Sequence, residues 1–150
     1  MEKLAELHEK LWKVFAEFIK LRDTDNQGFG HCISCSRRIA MKGSHCGHFI
    51  ARTYSGTRYE ELNNHLQCVT CNIYKEGNPI GYKNTLVLKY GPGIIEALET
   101  KKRVSRSWNR ETLQESINYY KQCNALIKQI KNRGGSLPDV FFKMEVHHLP

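Results

Sequence analysis

Four cysteines stand in two Cys-x-x-Cys pairs, Cys32 with Cys35 and Cys68 with Cys71. Between the pairs lies the run Cys46-Gly-His-Phe-Ile50, and Asn72 follows directly behind the last cysteine. A Cys-x-x-Cys turn presents two thiolates from one tight loop, and two such turns complete the tetrahedron of soft ligands that a structural zinc takes. Cys32, Cys35, Cys68 and Cys71 are therefore the expected Zn2+ ligands. Thioredoxin-like redox chemistry would need one such pair beside a strand-helix-strand pattern, which is not found around either pair. The stretch between Cys35 and Cys68 is longer than a compact zinc ribbon allows and must form structure of its own. It carries His45, His48, Arg52, Arg58 and Asn63.

A histidine enclosed by such a scaffold suits hydrolysis. Cleaving a phosphodiester requires an activated water, charge stabilisation on the phosphate and help for the departing oxygen. A neutral histidine can take the water's proton while a hard divalent ion stabilises the developing charge. His48 is the candidate base, at the start of a strand-like run from His48 to Arg52. Asn72 could enter from the next element, fixed by the zinc turn beside it. A purely structural zinc finger without catalysis competes with this reading.

The elements that must position these residues are mostly helical. Leu4, Leu7, Leu11, Val14 and Phe18 recur at steps of three and four, predicting an amphipathic helix over 3–22 whose stripe is either core or a dimer seam. Residues 31–78 form the chemical centre, punctuated by glycines. Tyr82 to Lys89 reads as helical, Gly91-Pro92-Gly93 as a break, and Ile94 to Lys102 as a short helix. A longer helix is expected from Arg110 to Asn132, with Asn109 as N-cap and Gly134-Gly135 behind it. Its apolar face includes Leu113, Ile117, Tyr120, Cys123 and Ile127, so Cys123 reads as a small core residue. The tail, 136–150, carries Phe141, Phe142, Val146 and Leu149; its His147 and His148 read as solvated.

The 150 residues suit one domain, with a helix at 1–22, the zinc-bearing core at 31–78, a helical region at 79–135 and the tail. Lys and Arg number 23 against 15 Asp and Glu, a formal charge of +8 that welcomes a polyanion, nucleic acid first. The basic residues are dispersed rather than gathered for a membrane surface. No apolar run approaches the roughly 18 residues needed to cross a bilayer, and the opening residues lack a signal peptide's apolar centre. A cytoplasmic protein is expected, and in that reducing compartment six cysteines point to metal rather than disulfides.

The arrangement resembles the HNH, or ββα-metal, nucleases: Cys32 and Cys35, His48 at an apolar strand, Asn63 upstream of Cys68 and Cys71, then Asn72. The resemblance implies an α+β fold, a zinc-stapled ββα-metal module flanked by N- and C-terminal helices. It makes His48 the general base, Asn63 a brace for the hairpin, and Asn72 a ligand of catalytic Mg2+ or Mn2+. Where that family usually has a metal-binding acid before the histidine, this chain has Gly47. Among His45, Cys46, Glu60 and His65 as replacements, His45 or His65 is preferred, since imidazole suits Mn2+ and a thiolate suits hard ions worst.

A longer resemblance runs through Ile19-Lys-Leu-Arg-Asp23, Cys32-Ile-Ser-Cys35, Cys46 to Arg52, Thr57 to Asn63, His65 to Asn72, Gly77-Asn78 and Lys89-Tyr-Gly91. It is similar to the NinG/Rap family of phage recombination proteins, which implies structure-specific endonuclease action on branched intermediates such as Holliday junctions and D-loops. Arg37, Arg38, Arg52, Arg58 and Lys75 are the expected phosphate contacts around the module, because guanidinium groups grip phosphate oxygens bidentately. Lys101-Lys-Arg103 with Arg106 and Arg110 form either a second basic patch or solvated helix ends. A junction offers two symmetric strands, so a homodimer is expected, with the apolar end helices as its seams. The alternatives are an HNH nicking endonuclease on ordinary duplex and a non-catalytic zinc-binding DNA adaptor.

Overall fold

The computed structural model describes residues 1–137. The first helix, α1 (Leu4–Arg22), buries Leu7, Leu11, Phe15, Phe18 and Ile19 as the three-four spacing requires. The last, α4 (Arg110–Asn132), starts where Asn109 caps it: the Asn109 side chain accepts from the Thr112 amide at 2.8 Å, and Thr112 Oγ1 accepts from the Asn109 amide at 3.1 Å. The two helices bury their stripes against each other. Leu113, Ile117, Tyr120 and Ile127 of α4 join the α1 residues and Tyr59 in the main core. Full burial of each such side chain is worth roughly 1.5–3 kcal/mol. Both stripes are therefore core, and the end helices do not offer them as the expected dimer seams. Cys123 packs at the edge of this core.

Between these helices lie two small antiparallel pairs. β1 (Phe29–His31) pairs with β2 (Arg38–Ala40), and β3 (His45–His48) pairs with β4 (Asn64–Gln67), with His45 opposite Gln67 and His48 opposite Asn64. The strand thus ends at His48 instead of beginning there. The Phe49 amide still donates to Asn63 O at 2.9 Å, but the Ile50 amide donates to the Asn63 side chain at 2.8 Å, and the chain leaves the ladder into a loop. A 3-10 turn, Glu61–Asn63, leads into β4, and a π-helical turn, Thr70–Tyr74, carries Cys71 and Asn72.

Two further helices, α2 (Pro79–Tyr90) and α3 (Ile94–Arg103), form a second core of Tyr82, Leu86, Ile94 and Leu98 with Ile33 and Ile50. α2 begins earlier than the apolar pattern indicates because Pro79, preset for helical φ, occupies its first turn. A buried ion pair ties α1 to β4. The Arg22 guanidinium grips the Asp23 carboxylate at 2.7 and 3.0 Å and donates to Glu61 O and Asn64 O, both at 2.9 Å. Asp23 in turn accepts from the Leu66 amide at 2.9 Å. Burial opposes ionisation of Asp23, but the Arg22 charge outweighs it and holds the carboxyl well below the usual range.

No helix among the described residues is long and apolar enough to cross a membrane. Phe141, Phe142, Val146, His147, His148 and Leu149 lie outside the described residues.

Candidate functional site

The two cysteine turns meet. The sulfurs of Cys32, Cys35, Cys68 and Cys71 all lie within 4.8 Å of one another, with Cys35 and Cys68 at 3.9 Å. Four sulfurs held at about 2.3 Å from one zinc would sit roughly 3.8 Å apart, so the cluster fits the ion. The amides of Cys68 and Cys71 donate to Cys32 Sγ at 3.3 Å and Cys68 Sγ at 3.4 Å, which favours thiolate. Burial pushes the Cys32 thiol up to about 12 and that of Cys71 upward too. At Cys35 burial acts in the same direction but is outweighed by hydrogen bonds from the Arg37 amide and the neighbouring cysteines, leaving it below its ordinary value. A dication at the centre would supply the charge these clustered sulfurs need in order to ionise together.

Gly77 and Asn78 complete the scaffold. Both have positive φ, +87° and +42°, and the Asn78 side chain donates through Nδ2 to Cys71 Sγ at 3.4 Å. Gly77 O accepts from Gln67 Nε2 at 2.7 Å, and Gln67 Nε2 also reaches Ser34 Oγ at 2.7 Å. Fully buried Gln67 therefore stitches β4 to both sides of the cluster. It also accounts for Gly47, because a Cβ at position 47 would lie 2.0 Å from Gln67 Oε1. The space an acid would occupy is filled by this amide.

Alternation along β3 divides the histidines. His45 and Gly47 share the face toward Gln67, and there Asn72 Nδ2 approaches His45 Nδ1 at 2.8 Å. Cys46 and His48 point the other way. Cys46 Sγ lies 3.9 Å from Asn64 Oδ1, and burial pushes its thiol up. His48 stacks on Trp12 of α1, ring centroids 4.9 Å apart and planes at 18°. Its Nε2 is buried without a hydrogen-bond partner. Burial lowers its pKa to about 4, and the nearby Arg52 and Arg58 add to the effect against a hydrogen bond to the Arg58 backbone. The structure thus joins Asn72 to His45 and gives His48 a separate environment.

The other sequence-derived residues fall in distinct places. Asn63 is fully buried; its amide donates to Ile50 O at 3.0 Å and Thr57 O at 3.1 Å while its oxygen accepts from Ile50, so it cross-braces the loop after His48. His65 lies in the interior, with Nδ1 3.3 Å from Tyr82 OH and Nε2 2.8 Å from Tyr90 OH. Both ring nitrogens are engaged there, so the preference for His65 as a ligand of a catalytic ion gives way to His45. Glu60 is committed to Lys101 and to the Leu62 amide. Arg58 Nε donates to Arg52 O at 2.9 Å, and the Arg52 guanidinium lies 4.6 Å over the Trp12 ring. These two arginines border His48. Arg37 and Arg38 are exposed beside the first cysteine turn, Arg38 over Phe29 at 4.0 Å, and Lys75 is exposed behind the second.

Trp12 was not singled out by sequence reasoning, and Gln67 and Asn78 entered only within the matched runs His65 to Asn72 and Gly77-Asn78, without a role. Gln67 had no signal of its own, because a strand buried on both faces shows no alternation.

A family model, the bacteriophage lambda NinG protein, matches residues 1–132. The chain belongs to the NinG family. It is 29% identical over 118 residues to protein ninG of Escherichia phage lambda, covering 77% of this chain and 52% of that protein. Protein ninG of Salmonella phage P22 is 32% identical over 108 residues, covering 70% and 49%. The chain spans about half the length of the curated NinG relatives it matches. No solved structure matches it significantly. The NinG match runs from α1 through α4, so the helical pair belongs to the family's shared region together with the cysteine cluster.

Proposed function

We propose that this NinG-family chain is a structure-specific DNA endonuclease that cleaves branched recombination intermediates, Holliday junctions and D-loops, by divalent-metal-assisted phosphodiester hydrolysis. The observation that carries this reading is His48: an imidazole kept neutral at pH 7 by burial, its Nε2 lone pair or proton unspent, bordered by Arg52 and Arg58. A neutral imidazole can take a proton from water, and two adjacent guanidiniums suit the phosphate whose bond that water attacks. In this reading β3, β4 and the turn carrying Asn72 form an HNH-like ββα-metal module stapled by the cysteine cluster. Asn63 holds the loop that carries Arg52 and Arg58. His45 and Asn72, already in contact, would hold the catalytic ion, and an imidazole-amide pair suits Mn2+ better than Mg2+. That ion would stabilise charge on the phosphate oxygens.

A zinc-stapled DNA adaptor without catalysis is the second reading. It is favoured by the separation of His48 from Asn72 onto opposite faces of β3. The deciding experiment sets a four-way junction beside linear duplex of the same sequence, with Mg2+ and Mn2+ in turn. The expected outcome is selective junction cleavage, faster with Mn2+, and a loss of about 100-fold or more in His48→Ala. Equal cutting of both substrates would make it a duplex nicking enzyme; no cutting with either ion would leave the adaptor. Full activity in His48→Ala would remove His48 as base. Paired cuts across a junction require two sites, so a homodimer is proposed on the DNA, and light scattering that finds only one chain per junction would overturn it.

A further inference from the structure

We infer that the end of α3 and the loop following His48 form one continuous track that holds an unpaired DNA strand against the site. The inference rests on the endonuclease reading for its location and adds the surface and the strand it takes. In sequence the basic run after residue 100 is remote from His48, but the fold joins them. Loop residue Gly56 presses against the end of α3 so closely that a Cβ there would lie 2.2 Å from Lys101 O and 2.3 Å from Val104 O. The Arg106 amide donates to Ser55 Oγ at 2.8 Å, and Lys101 reaches the buried Glu60 carboxylate at 2.5 Å. These contacts fix the two segments side by side.

Along the joined segments charge alternates with aromatic rings, Tyr54 exposed and Trp12 and Trp108 half-buried against the core. Arg52 lies over Trp12, itself stacked on His48; Lys102 Nζ lies 4.7 Å over the Tyr54 ring; Arg106 lies 4.2 Å over the Trp108 ring. Tyr54 is 43% exposed, and Arg103, which follows Lys102 in the chain, is exposed as well. Two carboxylates lie along this surface, Glu99 at 3.5 Å from Lys102 and the buried Glu60 on Lys101. Cations for phosphates interleaved with rings for bases are the composition that binds unpaired strands without sequence preference. A duplex, with its bases stacked inward, would use the cations and leave the rings idle. Charge complementarity selects a nucleic acid, and the rings, continuous with His48, select an unpaired strand of it, such as one peeled from a branch point.

The test uses fluorescence anisotropy of the full chain carrying His48→Ala, with a labelled single-stranded oligonucleotide, a duplex and a four-way junction across a salt series. Tyr54→Ala is expected to weaken single-strand binding about five- to tenfold and duplex binding far less, while Tyr54→Phe restores it. The pair Lys102→Ala with Arg103→Ala is expected to reduce the salt slope on single strands by about 1.4. Zinc content and circular dichroism check that each variant is folded. Unchanged affinity and slope in all variants would overturn the track, as would equal losses on duplex and single strand from Tyr54→Ala. Binding with these signatures but no cleavage by the His48-bearing chain would keep the track and remove the endonuclease; cleavage with no effect of the track variants would do the reverse.

Discussion

A carboxylate at position 47 would have to displace Gln67, which is held by Ser34 and Gly77 at 2.7 Å each and cannot swing aside without freeing both. Gly47→Asp is therefore expected to destabilise the chain by about 1–3 kcal/mol rather than improve metal binding, read as a lowered urea midpoint. Asn63→Ala leaves the Ile50 amide and carbonyl without their partners in the interior and removes one of the two donors to Thr57 O, and should cost about 2–4 kcal/mol by the same measurement. His48 adds a pH dependence. Its folded pKa of about 4 lies below the ordinary 6.5, so between those values the unfolded chain binds a proton that the folded one refuses. Stability should fall as pH drops through that window and be untouched by His48 above it. In His48→Phe the slope should be shallower there, with the part due to buried His65, shifted the same way, remaining.

The long helices were legible because their partners are each other: a stripe such as Leu7, Leu11, Phe15 and Phe18 records burial whatever covers it, and Asn109 marks a cap by chemistry alone. What covers the stripe was not legible, since α4 lies far along the chain, and so the choice between core and seam stayed open until the helices were seen packed. Phe15→Ala, at the centre of that contact, is expected to cost about 3–5 kcal/mol in chemical denaturation. The strand before the loop was displaced by a few residues because His45-Cys-Gly-His carries no alternation of apolar and polar groups, whereas Phe49-Ile50 looks strand-like and is instead loop anchored by Asn63. The four cysteines could be read directly from spacing. Which histidine faced Asn72 depended on strand register, where a shift of one residue exchanges the faces.

At the scale of the molecule the metal cluster and the helical pair are two separate sources of order. Chelation should speed hydrogen exchange at the cysteine turns, as at the Ile33 amide bonded to Leu66 O at 2.9 Å, while the α1 and α4 amides keep their protection. Uniform loss across both regions would show them to be one cooperative unit. The pairing of first helix with last also has a consequence for synthesis. At about 5–20 residues per second, α1 leaves the ribosome roughly 5–20 s before α4 is complete, and through that interval its leucines and phenylalanines lack their partner. The cysteine turns emerge earlier and can take up zinc while α1 waits. A nascent chain stalled before residue 110 should therefore hold metal yet still expose an apolar helix to chaperones.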